Sequence, residues 1–317
     1  MVLMIAGALL PVFFVMALGY FAGKRRIVDN SNVTSLNHLV MFFALPVALF
    51  TSIAATDRSV ILDNWWLAVV LLIVMVVTYA VIYWLQIKAF KLSPADAAVQ
   101  SLTTAFPNYA SIGLPLTGAV FGPSAALAVA VAIAVGSVTL SPFTLALLEN
   151  ARALELGERG STGRRFLKAL GTSVRKPIFV GPMIGLVWSL VGIPLPEIAA
   201  TTLKEIGGVA AGVALFLTGL ILSAQAIRVT GNVVLSTLVK TVAQPLLGLL
   251  VIVLLGVPQP FASQALLLLA IPAGFFGILF GVSYKVRPAV AGSTLVLTSL
   301  VSILTLSLAI LLLAPSA

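Results

Sequence analysis

Hydrophobic positions in this chain come in long runs, not in alternation. Ten such runs cover about 2–22, 33–55, 64–90, 96–120, 124–148, 177–193, 207–226, 232–256, 260–284 and 288–314. About 20 apolar residues in helical form cross a bilayer. The pattern therefore predicts an all-α polytopic membrane protein with ten transmembrane helices. A β-barrel would show short alternating segments instead. The short stretch 194–205, ahead of the seventh run, is expected at the membrane interface.

The fourth run is interrupted at its middle by Ala105-Phe106-Pro107-Asn108-Tyr109-Ala110-Ser111-Ile112-Gly113-Leu114-Pro115. Pro107 has no N–H and disfavours helix in the residue before it. An unpaired amide such as Asn108 is costly at that depth. Broken helices at membrane depth survive where they are buried in protein or line a cavity. Two readings are open: a proline kink whose asparagine bonds a freed carbonyl, or a discontinuous helix that builds a site.

Composition agrees with the pattern. Hydrophobic residues make up 61% of 317, charged residues only 9%, and mean hydropathy is +1.18. A soluble domain carries about 25% charged residues. The net charge of +9 does not imply nucleic acid, because the basic residues sit in short loops between apolar runs. The absence of cysteine excludes disulfides and thiol chemistry. The first run precedes Lys24-Arg25-Arg26, opposite to a cleaved signal, and reads as the first spanning helix.

Loop charge sets the expected orientation. Lys24, Arg25, Arg26, Lys88, Lys91, the seven basic residues of the 149–176 linker, Arg228, Lys285 and Arg287 fall on one side. The other side holds Arg58 and Lys204 with Asp57, Asp63 and Glu197. Positive charge marks the cytoplasmic face, so both termini are expected outside the cytoplasm.

The chain also repeats weakly. Pro11-Val12-Phe13 and Gly19 match Pro177-Ile178-Phe179 and Gly185 at an offset of 166, and Ala105-Phe106-Pro107 matches Ala270-Ile271-Pro272 at 165. This divides the chain into a first repeat at 1–148, a basic linker at 149–176 and a second repeat at 177–317. Five spans per half is odd, so the second half must be inverted. Inverted repeats with a break at corresponding places point to a transporter site. The breaks are expected in runs four and nine, near Asn108 and Pro272.

At these residues the chain resembles the auxin efflux carrier family, which includes plant PIN carriers and bacterial malonate permeases. Phe106-Pro107-Asn108-Tyr109 with Gly113-Leu114-Pro115, Gly118 and Phe121-Gly122 resembles the family's fourth-segment motif. Leu36-Asn37-His38-Leu39-Val40 with Phe43 and Leu45-Pro46 resembles the second-segment motif. Ala270-Ile271-Pro272-Ala273-Gly274 with Phe280 and Tyr284-Lys285-Val286-Arg287-Pro288 resembles the ninth-segment ending. Lys240 and Pro245 resemble a basic residue and proline of the eighth. The resemblance implies two inverted five-helix repeats with crossing helices four and nine, in a bile-acid-symporter-like elevator architecture. Segments one, two, six and seven would form a scaffold, and segments three to five and eight to ten a transport domain. It also implies a homodimer through the scaffold. The 28-residue central linker is much shorter than in most plant members, which favours a prokaryotic organic-acid carrier over an auxin exporter.

The expected site follows from helix ends. The half-helices after Asn108 and Pro272 point partially positive N-termini at the crossing. Neutral polar groups from Thr103, Thr104, Asn108, Tyr109 and Ser111 suit a carboxylate. The candidate substrate-binding residues are Asn37, Thr104, Pro107, Asn108, Tyr109, Ser111, Gly113, Pro272, Ala273 and Gly274. Asn37 is also readable as a bridge between helices, and Asn108 as a cap of the second half-helix. No Asp or Glu falls in the expected membrane core, which disfavours an organic-cation carrier. Sodium could still bind carbonyls at a break. Lys240 is expected to snorkel to the surface, and His38 to be exposed. Gln100, Gln225 and Gln244 are expected in interhelical or interfacial hydrogen bonds. The lone histidine, the missing thiols and the absence of a P-loop leave no metal, cofactor or nucleotide set. The expected function is a secondary carrier for a small organic anion, malonate-like or another carboxylate, in the cell membrane. The alternatives are an auxin-like aromatic carboxylate exporter and an anion channel; an enzyme is not expected.

Overall fold

The computed structural model describes residues 2–30, 33–56, 58, 65–155, 163–164, 167–168, 171, 174–286 and 289–313. Asp57, Asp63, Arg159, Arg165, Arg287 and Pro288 lie outside the described residues. The described chain is helical, with one isolated antiparallel bridge between Pro107 and Ala273.

Residues 2–155 contain α1 (Val2–Lys24), α2 (Thr34–Ala54), α3 (Trp65–Lys88), α4 (Pro94–Ala105), α5 (Tyr109–Phe121), α6 (Ala126–Val138) and α7 (Leu140–Glu155). After the linker come α8 (Pro177–Val191), α9 (Glu197–Gly207), α10 (Ala210–Ala224), α11 (Gly231–Leu255), α12 (Phe261–Ala270), α13 (Phe276–Ser283) and α14 (Ala289–Leu313). Each predicted run is helical over most of its described length, and runs four and nine are each divided. By length and composition seven helical stretches can cross a membrane; 109–121, 177–191 and 261–270 are shorter apolar helices. The chain is thus a multi-pass membrane protein. Helix α7 runs past residue 148 to Glu155, into the predicted linker.

Local chemistry explains the helix ends. Ser93 caps α4 by accepting the Asp96 N–H at 3.1 Å, with Pro94 at the first position. That helix stops at Ala105, because Phe106 precedes proline and is extended (φ −104°, ψ 98°). Ile271 before Pro272 is extended too (φ −57°, ψ 137°) and ends α12. Helices α8 and α11 end at the left-handed glycines Gly192 and Gly256.

Among the described residues three π turns interrupt the helices, at Leu39–Ala44 in α2, Tyr109–Gly113 in α5 and Val239–Ala243 in α11. Each is followed by Xaa-Pro: Leu45-Pro46, Leu114-Pro115 and Gln244-Pro245. Proline cannot donate to the carbonyl four residues back and its ring clashes there. A wider turn relieves that clash and keeps the helix going.

Pairing is reciprocal. Helix α1 packs most extensively on α10, and α2 on α8. Glycines allow the backbones to touch: a Cβ on Gly19 would strike the Phe216 carbonyl, and one on Gly219 the Met16 carbonyl. Gly181 and Gly185 lie equally close to the Pro46 and Phe50 carbonyls. Such small-residue contacts drive helix association where lipid offers no hydrophobic gain.

Polarity is inverted relative to a soluble fold. On α11, Asn232, Ser236, Thr237, Lys240, Thr241 and Gln244 are buried, while Val234, Leu238, Val242, Leu246 and Leu250 are exposed. On α14, Ser293, Thr294, Thr298 and Ser302 face inward.

Candidate functional site at the crossing

The two breaks meet. The Asn108 N–H donates to the Pro272 carbonyl at 3.0 Å, and the Gly274 N–H to the Thr103 carbonyl at 3.1 Å. With the Pro107–Ala273 bridge these bonds make a short antiparallel contact between two irregular segments. The Ala273 N–H is taken by Thr298 Oγ1 of α14 at 3.3 Å. Backbone groups freed by the prolines are therefore satisfied across the crossing, as their burial requires. Gly274 is needed for this approach, since a Cβ there would strike the Phe106 carbonyl.

Asn108 is 1% exposed. Its side chain does not cap α5. Instead Nδ2 donates to Thr218 Oγ1 of α10 at 3.2 Å, and Oδ1 is buried without a partner. Thr218 Oγ1 lies 2.9 Å from Ser111 Oγ and 2.9 Å from the Ala214 carbonyl. Asn108, Ser111 and Thr218 thus form one polar cluster between the α5 break and α10. Sequence reasoning missed Thr218. The available signal was a lone hydroxyl in the middle of the apolar run 210–222.

The other candidates divide. Pro107, Pro272, Ala273 and Gly274 sit with Asn108 at the crossing itself. Thr104 turns back along α4, donating to the Gln100 carbonyl at 2.9 Å. Tyr109 is fully buried and points its hydroxyl at Met75 Sδ of α3, 3.7 Å away. Gly113 packs against Val129 of α6. Asn37 is not bonded to the crossing. It lines a cavity of about 550 Å³ with Val99, Ile221, Gln225 and Ile278, and its Oδ1 is buried and unpaired. Val99 and Ile221 each lie about one helical turn from Thr103 and Thr218, and Ile278 lies four residues after Gly274. His38 is exposed on the same cavity.

Lys240 departs from the sequence expectation. It is 0% exposed and does not snorkel. Its Nζ donates to Gln244 Oε1 at 2.6 Å and to the Leu269 carbonyl at 2.9 Å. Gln244 Nε2 in turn donates to the Ala105 carbonyl at 2.9 Å. The pair therefore joins the last carbonyls of α4 and α12, where both helix dipoles are negative. Counting depth along the helix missed this. The inward stripe of polar residues at helical spacing on α11 was the signal. Gln100 bonds Thr294 of α14 at 3.0 Å, an interhelical contact as expected, while Gln225 bonds back to the Ile221 carbonyl of its own helix at 3.2 Å.

Among the described residues no group of three or more His, Cys, Asp or Glu residues could hold a metal ion. The crossing offers amide and hydroxyl donors, helix N-termini and one buried ammonium nearby. This is chemistry for holding an anion, with no acid–base pair at the crossing.

A family model described as "Membrane transport protein" matches residues 4–310. "Uncharacterized transporter YfdV" of Escherichia coli (strain K12) is 30% identical over 283 residues, 88% of each chain. A Rhizobium meliloti (strain 1021) protein named "Putative malonate transporter" is 25% identical over 310 residues, 96% of this chain and 94% of the relative. Matched by the family model over residues 4–310, the chain belongs to the auxin efflux carrier-like family of membrane transport proteins.

Proposed function

We propose that the protein is a secondary transporter for a small organic anion, malonate-like or another carboxylate, and that the anion binds at the crossing of the two broken segments. The observation that carries this reading is the meeting of Asn108 with Pro272 between two half-helices whose N-termini begin there. Helix N-termini favour a carboxylate through their dipoles. Lys240 adds a buried amine donor close by. The relative named for malonate supports the substrate class.

In this reading the ten apolar runs are ten membrane crossings in two inverted repeats, 1–148 and 177–317. The reciprocal packing of α1 on α10 and α2 on α8 is what such symmetry requires. Those four helices form the scaffold. Helices α3 to α7 and α11 to α14 form a transport domain that moves as an elevator. The basic loops lie in the cytoplasm, both termini outside, in the cell membrane, and two copies pair through the scaffold. The Asn37 cavity then opens toward the cytoplasm and gives this conformation access to the crossing from within.

Purified protein in liposomes tests the function. Malonate uptake is expected to saturate and to be accelerated by malonate inside. Unitary currents without counterflow would make the protein an anion channel instead.

A further inference from the structure

We propose that Thr218 holds the empty crossing closed by standing where a substrate carboxylate oxygen will sit, and that the arriving anion must displace it. The inference rests on the anion reading of the crossing and adds a latch to it.

Thr218 has one hydroxyl proton and two acceptors for it, Ser111 Oγ and the Ala214 carbonyl. Thr218 Oγ1 accepts from the Asn108 amide and donates its own proton to Ser111 Oγ or the Ala214 carbonyl. A carboxylate oxygen is a pure acceptor and can take the Asn108 donor in its place. Bonds to an ionised acceptor are about twice as strong as neutral ones. The carboxylate therefore wins the exchange. Asn108 leaves its Oδ1 buried and unpaired in the empty state, so the resting cluster is incompletely satisfied and cheap to rearrange.

The two sides of the cluster belong to different supports. Thr218 is fixed to α10, which Gly219 and Gly19 seat against the backbone of α1. Asn108 and Ser111 belong to the fourth-segment break, where the Asn108 N–H donates to the Pro272 carbonyl. Displacing Thr218 releases the polar tie between the α5 break and α10. Substrate binding and movement of the crossing are then coupled by one exchange of acceptors.

The test measures malonate binding to purified protein by thermal shift across a concentration series. Thr218→Val keeps the shape and removes the competitor. Its malonate dissociation constant is expected to fall by about tenfold, the scale of one neutral hydrogen bond, while its melting temperature without malonate drops. Thr218→Ser is expected to restore the wild-type affinity. Thr218→Ala serves in place of valine if that variant does not fold. Unchanged malonate affinity in Thr218→Val makes the contact merely structural, and weakened affinity makes Thr218 a direct ligand; either result overturns the latch. Asn108→Asp separates the two levels. If it loses malonate while Thr218→Val binds as wild type, the latch alone has failed. If wild type shows no malonate shift, or Asn108→Asp binds normally, the anion site itself has failed and the latch with it.

Discussion

The ammonium of Lys240 donates to the carbonyl of Leu269 at 2.9 Å, one residue before the end of α12. Through Gln244 the same side chain is tied to Ala105 at the end of α4. A charge in the middle of an apolar helix thus fastens both broken segments from their negative ends.

Lys240→Met removes a cation and leaves the Leu269 carbonyl and Gln244 Oε1 unpaired. Buried unsatisfied groups cost about 1–3 kcal/mol each. The variant should melt well below wild type and lose malonate binding. A lysine at the membrane surface would have almost no effect on melting, so an unchanged transition in differential scanning fluorimetry would remove Lys240 from the crossing.

Asn108→Asp replaces the donor at the break by a charged acceptor. Thr218 and Ser111 can each donate to a carboxylate, so the fold should persist. A substrate anion would be repelled. Ligand at 100 times its dissociation constant adds about 2.7 kcal/mol of stability, and that increment should vanish in Asn108→Asp. Asn108→Ala removes the bond to Thr218 as well, with a cost of about 1 kcal/mol. It should both melt lower and bind malonate more weakly.

Pro272→Ala gives residue 272 an N–H and removes the restraint on Ile271. Helix α12 can then continue toward Ala273 and pull the Pro272 carbonyl from the Asn108 N–H. Uptake into liposomes should be lost, with expression reduced only modestly. Full uptake by this variant would mean that the ninth-segment break is dispensable.

Orientation is accessible because the chain has no cysteine. Arg58→Cys and Lys285→Cys should react with a membrane-impermeant maleimide from opposite sides of intact cells or vesicles. Reaction of both from outside would reverse the assignment of the basic loops to the cytoplasm.

Much of the fold was legible before any coordinates. Apolar runs must become helices in a bilayer, since backbone polar groups there have no other partners. Prolines marked the breaks at 107 and 272, because a missing N–H acts locally; the wide turns before Pro46, Pro115 and Pro245 were found only in the structure. Within the candidate list, Asn108 and Pro272 were identified by the same local reasoning. Tyr109 was included for its hydroxyl, which in the structure points at Met75 Sδ, and Gly113 packs against Val129.

The sequence by itself determined where helices run, where they break and which residue types are available at membrane depth. These are short-range consequences of hydropathy, proline and glycine. The tertiary structure alone decided which break faces which, that Lys240 is buried on a carbonyl 29 residues away, and that Thr218 meets Asn108 across 110 positions of chain. Hydrogen bonds of that kind join side chains whose separation in sequence carries no periodic signal. Only the packing of α10 on α1, set by glycines on both, brings the hydroxyl of Thr218 to the amide of Asn108.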